Sequence, residues 1–305
     1  MHSGVDLGTR VGSVVLSNPV MTASGTAGHG AELDAYVPLG SLGAVVVKSL
    51  SAEPWAGNRA PRVVEVPGGM LNSVGLQGPG VEAWLEDELP ALLATGATVV
   101  ASIWGTSPEA YAKAAAMLAG APRQVAAVEV NLSCPNVHRT VFAHSAAATA
   151  EAVAATEAAG RPRWAKLSPN VTDIVEIAGA ALGAGAEALT LVNTLRGLAV
   201  DPVTRRPRLG AGGGGLSGPA LHPVAVRAVA ECHAAFPGAP LVGVGGVATA
   251  EQAVELLLVG ASAVQVGTAT FADPRAPGRV LHELAQWCHR HHVPRVAELI
   301  GAAQP

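Results

Sequence analysis

The sequence predicts an α/β protein folded as a (β/α)8 barrel, and three observations lead to this prediction. Short apolar runs typical of strands alternate eight times with longer segments typical of helices. The composition is 50% hydrophobic but only 3% aromatic, which suits closely packed strands and helices better than a β-sandwich. No linker divides the chain, so we expect one domain over residues 1–305. A doubly wound open sheet is the alternative.

The predicted elements follow one another in regular order. A small N-terminal hairpin over 5–16 is expected to close one end of the barrel. Ser107 before Pro108, and Thr249 shortly before Glu251, are typical helix starts. The predicted strands are 19–23, 44–48, 98–103, 126–131, 163–167, 188–192, 240–244 and 263–266. The predicted helices are 30–37, 81–95, 107–120, 147–159, 173–184, 222–235, 249–259 and 277–291.

A polar residue or a glycine stands at the carboxyl end of every predicted strand. In a (β/α)8 barrel the carboxyl ends of the strands surround the active site, so we expect these residues to line one mouth. They are Ser24 and Gly25, Lys48 and Ser49, Ser102, Asn131, Lys166, Asn193 and Thr194, Gly245 and Gly246, and Gly267 and Thr268. Long loops over 49–80, 132–146 and 194–220 are expected to bind substrate or to close over it.

Lysine is rare, since only three of the 19 basic residues are lysines. Lys113 lies in an alanine-rich helical stretch and is predicted to be an exposed charge. Lys48 and Lys166 end apolar strands, where a charge is costly unless it faces a cavity or an anion. The alternative for either lysine is a buried salt bridge with a core acid such as Glu129.

Glycines end the last two predicted strands, at Gly245–Gly246 and at Gly267. Glycines there let backbone N–H groups approach a phosphate, although simple tight turns are the alternative. A phosphate-anchored ligand beside Lys166 could be flavin mononucleotide (FMN), because a cation near the N1/O2 edge of the flavin stabilises the reduced ring. Lys48 could instead pair with a substrate carboxylate.

The stretch from Asn131 to Asn136 follows a buried strand and contains Cys134, a group able to exchange a proton near neutral pH. A small buried hydrophobe is the usual role of a lone cysteine. Four asparagines are expected at the same mouth, and together they indicate an amide-rich heterocycle as ligand, although each could be a turn residue. They are Asn72, Asn131, Asn136 and Asn193.

Charge and cysteine content exclude other classes of function. The net charge of −4 and the pI near 6.2 argue against a nucleic-acid surface. Three cysteines without metal-ligand spacing predict reduced thiols in a cytosol. Residues 1–10 hold no apolar run, so neither a signal peptide nor a membrane anchor is expected.

Taken together, the motifs resemble those of the class 1 dihydroorotate dehydrogenases over nearly the whole chain, from about Gly12 onward. Gln77 after Gly75–Leu76 resembles the class 1B branch, whose catalytic subunits pair with an iron–sulfur flavoprotein that passes electrons to NAD. The matching stretches are 18–25, 47–49, 57–58 with 61–62, 72–79, 131–136, 166–170, 193–194, 215–220, 245–246 and 267–268.

This resemblance implies FMN-dependent oxidation of (S)-dihydroorotate to orotate in de novo pyrimidine biosynthesis, by a cytoplasmic homodimer or heterotetramer without a metal site. Cys134 would be the general base that takes the C5 proton, while C6 gives hydride to the flavin. The implied substrate-binding residues are Lys48, Asn72, Ser73, Val74, Gly75, Leu76, Asn131, Asn193 and Thr194. The implied FMN-binding residues are Ser24, Lys48, Ser49, Ser102, Asn131, Lys166, Val192, Gly218, Gly245, Gly246, Gly267 and Thr268.

Four features depart from the family pattern: Gly78 and Ser102 in place of asparagines, Trp55 in place of arginine, and a loop over 137–140 without the usual glycines. These departures leave a related dihydropyrimidine, or a specialised metabolite, as an alternative substrate. A non-redox barrel that binds a phosphosugar, or a catalytically silent partner subunit, is the alternative from a different class.

Overall fold

Eight parallel strands form the centre of the computed structural model, which describes residues 4–133 and 142–303. Each strand lies within two residues of its predicted bounds, so the strand prediction is confirmed. In chain order they are β1 (Val20–Thr22), β2 (Val45–Val46), β3 (Val99–Ile103), β4 (Val125–Asn131), β5 (Arg163–Lys166), β6 (Ala188–Leu191), β7 (Leu241–Val244) and β8 (Ala263–Val266).

The sheet closes into a barrel. Its hydrogen-bonded order is β1-β8-β7-β6-β5-β4-β3-β2. A parallel bridge between Met21 and Ala44 joins the two ends of this order, and the Thr22 amide donates to the Ala44 carbonyl at 3.3 Å. The predicted (β/α)8 barrel is therefore confirmed, and the open doubly wound sheet is excluded.

The N-terminal hairpin closes the amino-terminal end of the barrel, as predicted. Its strands Thr9–Val11 and Val14–Leu16 pair in antiparallel register. Val11, Val14 and Leu16 are buried against residues that point into the barrel, among them Trp164 of β5 and Met21 of β1. Apolar packing therefore fills this end of the barrel.

Seven of the eight predicted helices are present around the barrel. Ser107 accepts a hydrogen bond from the Ala110 amide, and Thr249 forms a capping box with Gln252, so both predicted helix starts are confirmed. The helices are Val81–Ala83 and Leu89–Ala94, joined by a π-turn over Trp84–Glu88, then Pro108–Met117, Ala146–Ala155, Ile174–Gly183, His222–Ala235, Ala250–Leu258 and Ala276–Arg290, with a short extra helix over Ala269–Ala272.

The prediction of a helix over 30–37 is wrong, because the segment forms a series of turns. The Glu32 carboxylate accepts from the backbone amides of His29 and Gly30, and the Asp34 carboxylate accepts from the Leu39 amide. Such side-chain bonds to the local backbone compete with helical ones. Pro38 also disfavours helical backbone in the residue before it.

Two of the long loops form a second sheet at the carboxyl end of the barrel. Its strands are Leu195–Gly197, Gly214–Ser217, Gly69–Asn72 and Val63–Val66, in that antiparallel order. A separate pair, Val200–Asp201 with Arg206–Pro207, extends the loop after β6. The second sheet brings Asn72 and Ser217 to the barrel mouth.

Among the described helices, none has the length and hydropathy that a membrane span requires.

Candidate active site

A cavity of about 310 Å³ opens at the carboxyl ends of the barrel strands. All the predicted substrate and FMN residues line it except two, Ser73 and Ser102. The predicted residues at its wall are Ser24, Lys48, Ser49, Asn72, Val74, Gly75, Leu76, Asn131, Lys166, Val192, Asn193, Thr194, Gly218, Gly245, Gly246, Gly267 and Thr268.

The two exceptions have different reasons. Ser102 is fully buried behind Ser49, and their hydroxyl oxygens lie 2.9 Å apart, so Ser102 supports a wall residue instead of forming the wall. The Ser73 hydroxyl accepts a hydrogen bond from the Asn58 side chain at 3.0 Å, outside the cavity. Cys134, like Asn136, lies outside the described residues.

A buried polar layer lies directly beneath the cavity. Side chains alternate along a strand, so the residues two positions beyond those that pack against the N-terminal hairpin also point into the barrel. The Lys166 ammonium contacts Glu129 Oε1 at 3.3 Å, Gln265 Oε1 at 3.2 Å and Ser24 Oγ at 3.1 Å. The other Glu129 oxygen accepts from Gln265 Nε2 at 2.8 Å. The sequence predicted that Lys166 faces a cavity or forms a buried salt bridge. It does both, since it lines the cavity and pairs with Glu129.

Amide side chains converge on one wall of the cavity. Asn193 Nδ2 donates to Asn131 Oδ1 at 3.2 Å and to Ser133 Oγ at 2.6 Å. Asn131 Nδ2 donates to Ser49 Oγ at 3.1 Å, and the Tyr111 hydroxyl donates to the Asn131 carbonyl at 2.7 Å. This network fixes the amide planes before a ligand binds, which lowers the entropy cost of recognition.

The segment from Asn72 to Leu76 is held over the cavity by the loop that precedes it. Asn58 donates from its backbone amide to the Val74 carbonyl at 3.0 Å and from its side chain to Ser73. Gly75 and Leu76 both have positive φ values, of 75° and 62°. A β-carbon at Gly75 would lie 2.6 Å from Asn58, so glycine is required for this close approach.

The glycines after β7 and β8 form a backbone cradle at another part of the wall. A β-carbon on Gly246 would lie 2.8 Å from His222 Cβ and 2.9 Å from the Gly218 carbonyl oxygen. Beside the cradle, the Thr268 hydroxyl donates to Ser217 Oγ at 2.7 Å. Backbone groups and hydroxyls gathered in this way can hold the oxygens of a phosphate.

We expect Gly246→Ala to lower the free energy of unfolding by about 1–3 kcal/mol, because the new methyl group meets atoms that cannot move aside and φ is 69° there. Urea unfolding measures the change. Gly120→Ala is the matched control, since nothing lies within 4 Å of its added β-carbon. Equal stability of the two variants would contradict the expectation.

Sequence reasoning missed several cavity residues, including Met70, Ser217 and Phe271. Met70 and Ser217 lie opposite each other on neighbouring antiparallel strands of the second sheet. Pairing between two loops leaves no periodic signal in the sequence. Phe271 is 59% exposed and lies five residues after the end of β8. Its position close to a strand end was the signal that could have placed it at the mouth.

Most of the chain matches one family of known proteins. The family model described as dihydroorotate dehydrogenase matches residues 6–287. The chain belongs to the dihydroorotate dehydrogenase family.

Curated relatives in this dihydroorotate dehydrogenase family match the chain from end to end. A protein from Trichlorobacter lovleyi is 46% identical over 301 residues, and the match covers 98% of both chains. One from Pelobacter propionicus is 46% identical over 302 residues, covering 98% of this chain and 99% of its own. A third, from Geobacter sulfurreducens, is also 46% identical over 302 residues. All three are named dihydroorotate dehydrogenase B (NAD(+)), catalytic subunit.

Two departures from the pattern of the dihydroorotate dehydrogenase family lie together outside the cavity wall. Trp55 and Gly78 form an isolated antiparallel bridge, with amide-to-carbonyl distances of 2.9 and 3.0 Å. They line a neighbouring open depression with His29 and Lys48. Burial, and then the charge of Lys48, lower the pKa of His29, which favours its neutral form.

The described residues fit the flavin that the dihydroorotate dehydrogenase family uses. At Gly245 and Gly246 the cradle has no space for side chains, so the backbone itself forms this part of the cavity wall. The amide cluster at Asn131 and Asn193 supplies donors and acceptors for a flat heterocycle. Lys166 adds a buried cation to the wall. The site therefore offers the donor set that a phosphate-bearing flavin requires.

Proposed function

We propose that this protein oxidises (S)-dihydroorotate to orotate in pyrimidine biosynthesis, as an FMN-dependent dihydroorotate dehydrogenase. The observation that carries the proposal is the single cavity in which Lys48, the asparagine cluster and the glycine cradle lie together. Family membership over nearly the whole chain supports it. We propose that residues 1–305 form one FMN-binding barrel domain.

FMN would lie with its phosphate in the glycine cradle and its ring near Lys166. When bound, FMN supplies the acceptor for the hydride that leaves C6 of the substrate. The proposed FMN contacts from this chain are Ser24, Lys48, Ser49, Asn131, Lys166, Val192, Gly218, Gly245, Gly246, Gly267 and Thr268, with Ser102 supporting Ser49 from behind.

Dihydroorotate would be held by charge and by amide groups. Lys48 is the partner for its carboxylate, because a cation at the cavity wall offsets the desolvation of an anion. Asn72, Asn131, Asn193, Thr194 and the segment 73–76 would hold the polar edge of its ring. Binding to fixed amides orients the substrate, which removes an entropy cost from the reaction.

Cys134 is the proposed general base for the proton on C5. It follows Ser133 in the sequence, and Ser133 lines the cavity and bonds to the asparagine cluster. A thiolate formed there can take a proton from a bound substrate, and a base within hydrogen-bond reach of that proton is the geometric requirement.

A related dihydropyrimidine is the second candidate substrate, because Trp55 and Gly78 depart from the family pattern. Neither residue belongs to the wall of the cavity, and the side chains proposed to hold orotate match the family motifs. This arrangement favours dihydroorotate over the alternative.

The proposal includes a partner and a location. The curated relatives are named as catalytic subunits of an NAD-linked enzyme, which supports an iron–sulfur flavoprotein subunit that carries electrons from this chain to NAD. We propose a homodimer or a heterotetramer with that subunit. The two described cysteines, Cys232 and Cys288, are free thiols, which supports a cytoplasmic location.

The test begins with the purified full-length protein. We expect bound flavin that is released as FMN, and anaerobic addition of dihydroorotate should bleach its visible absorbance. Protein that takes up no added FMN would refute the proposal. Flavin bleached by another dihydropyrimidine but not by dihydroorotate would support the second candidate.

A further inference from the structure

His222 lies behind the glycine cradle and outside the cavity wall. It is the first residue of the helix His222–Ala235, and its side chain is only 8% exposed. Its ring nitrogen Nδ1 is 2.8 Å from the Gly245 carbonyl oxygen, and Nε2 is 3.0 Å from Glu255 Oε2. The imidazole therefore bridges the turn after β7 and the neighbouring helix Ala250–Leu258.

The Gly245 carbonyl determines the role of one ring nitrogen. A carbonyl oxygen only accepts hydrogen bonds, so Nδ1 must be the donor in this contact. Glu255 contacts the other ring nitrogen, and the two contacts together hold the imidazole ring in one orientation.

The bridge also orients the peptide between Gly245 and Gly246. In a trans peptide the carbonyl and the following N–H group point in opposite directions. Because the Gly245 carbonyl points to His222, the Gly246 N–H group points away from His222 and toward the cavity that Gly246 lines. Gly246 packs against His222, since a β-carbon there would be 2.8 Å from His222 Cβ.

We propose that His222, held by Glu255, is a positioning residue for the phosphate group of the ligand, an inference that rests on the proposed binding of FMN. It keeps the Gly246 N–H group directed at the phosphate. This effect acts on a phosphate dianion and not on a neutral flavin ring.

Competition between FMN and riboflavin, which lacks the phosphate, tests the proposal. The full-length protein is equilibrated with a mixture of both flavins, and the bound ratio is read by chromatography after rapid gel filtration. We expect His222→Leu to lower the bound ratio of FMN to riboflavin about ten-fold, the effect of losing one charge-assisted hydrogen bond. His222→Asn should recover part of this preference, because its amide can still donate to the Gly245 carbonyl.

Two further variants separate positioning from folding. Glu255→Ala removes a half-exposed carboxylate, leaves the core filled, and should also lower the bound ratio. Glu251→Ala, on the same helix and away from His222, should leave the ratio unchanged. An unchanged bound ratio in both His222→Leu and Glu255→Ala would overturn the role of His222 but leave the proposed function standing. Wild-type protein that takes up neither flavin would overturn the proposed function as well.

Discussion

Cys134→Ala is expected to lower the rate at which dihydroorotate reduces the bound flavin by about 10²- to 10⁴-fold, the usual contribution of a positioned general base. The FMN content should stay unchanged, because the proposed FMN contacts come from other residues. Anaerobic stopped-flow absorbance measures the rate, and the visible spectrum of the purified variant measures the flavin content.

Cys232→Ala is the matched control for this prediction. Cys232 is buried in the helix His222–Ala235, and burial raises the pKa of its thiol to about 12. A thiol with that pKa stays protonated and cannot act as a base near neutral pH, so the control should reduce flavin at the wild-type rate. A Cys134 variant as fast as the wild type would remove the cysteine from the mechanism.

The second large effect is on stability. We expect Glu129→Leu to lower the free energy of unfolding by about 3–5 kcal/mol, because it leaves the Lys166 ammonium buried without its carboxylate partner. Equilibrium urea unfolding measures the loss. Glu129 is fully buried and Lys166 is only 4% exposed although it lines the cavity, so water hydrates the unpaired ammonium poorly.

A double variant distinguishes the charge from the packing. Glu129→Leu combined with Lys166→Met leaves no unpaired ion, so it should be more stable than Glu129→Leu alone. The exposed pair of Glu53 with Lys113 provides the control, and Glu53→Leu should change stability by about 1 kcal/mol or less. A single Glu129 variant as stable as the wild type would show that the buried pair contributes nothing to folding.

The role of Lys166 shows where sequence reasoning reached its limit. Its place at the end of an apolar strand predicted either a cavity or a salt bridge. The structure has both, because closing the barrel brings the inward side chains of β4, β5 and β8 to one point. Glu129, Lys166 and Gln265 lie on three different strands, and no local pattern in the chain relates them.

The helix predicted over 30–37 fails for a related reason. Its apolar residues permit a helix, but the carboxylates of Glu32 and Asp34 bond to nearby backbone amides in the folded chain. Periodicity records which faces are apolar and not which side chains bond to the backbone. Capped helices such as the one after Thr249 were predictable because their signals are local.

The sequence by itself determined the eight strands and most of the helices, since these depend on neighbours within a few positions along the chain. The residues expected at the mouth came from the strand ends and from the family resemblance. Only the tertiary structure decided the closure at Met21 and Ala44, the second sheet above the mouth, and the support that His222 gives to Gly245. The closure and the contact of His222 with Gly245 each join residues 23 positions apart, and the second sheet pairs two loops that are distant in the sequence, so these contacts depend on the assembly of the ring of strands.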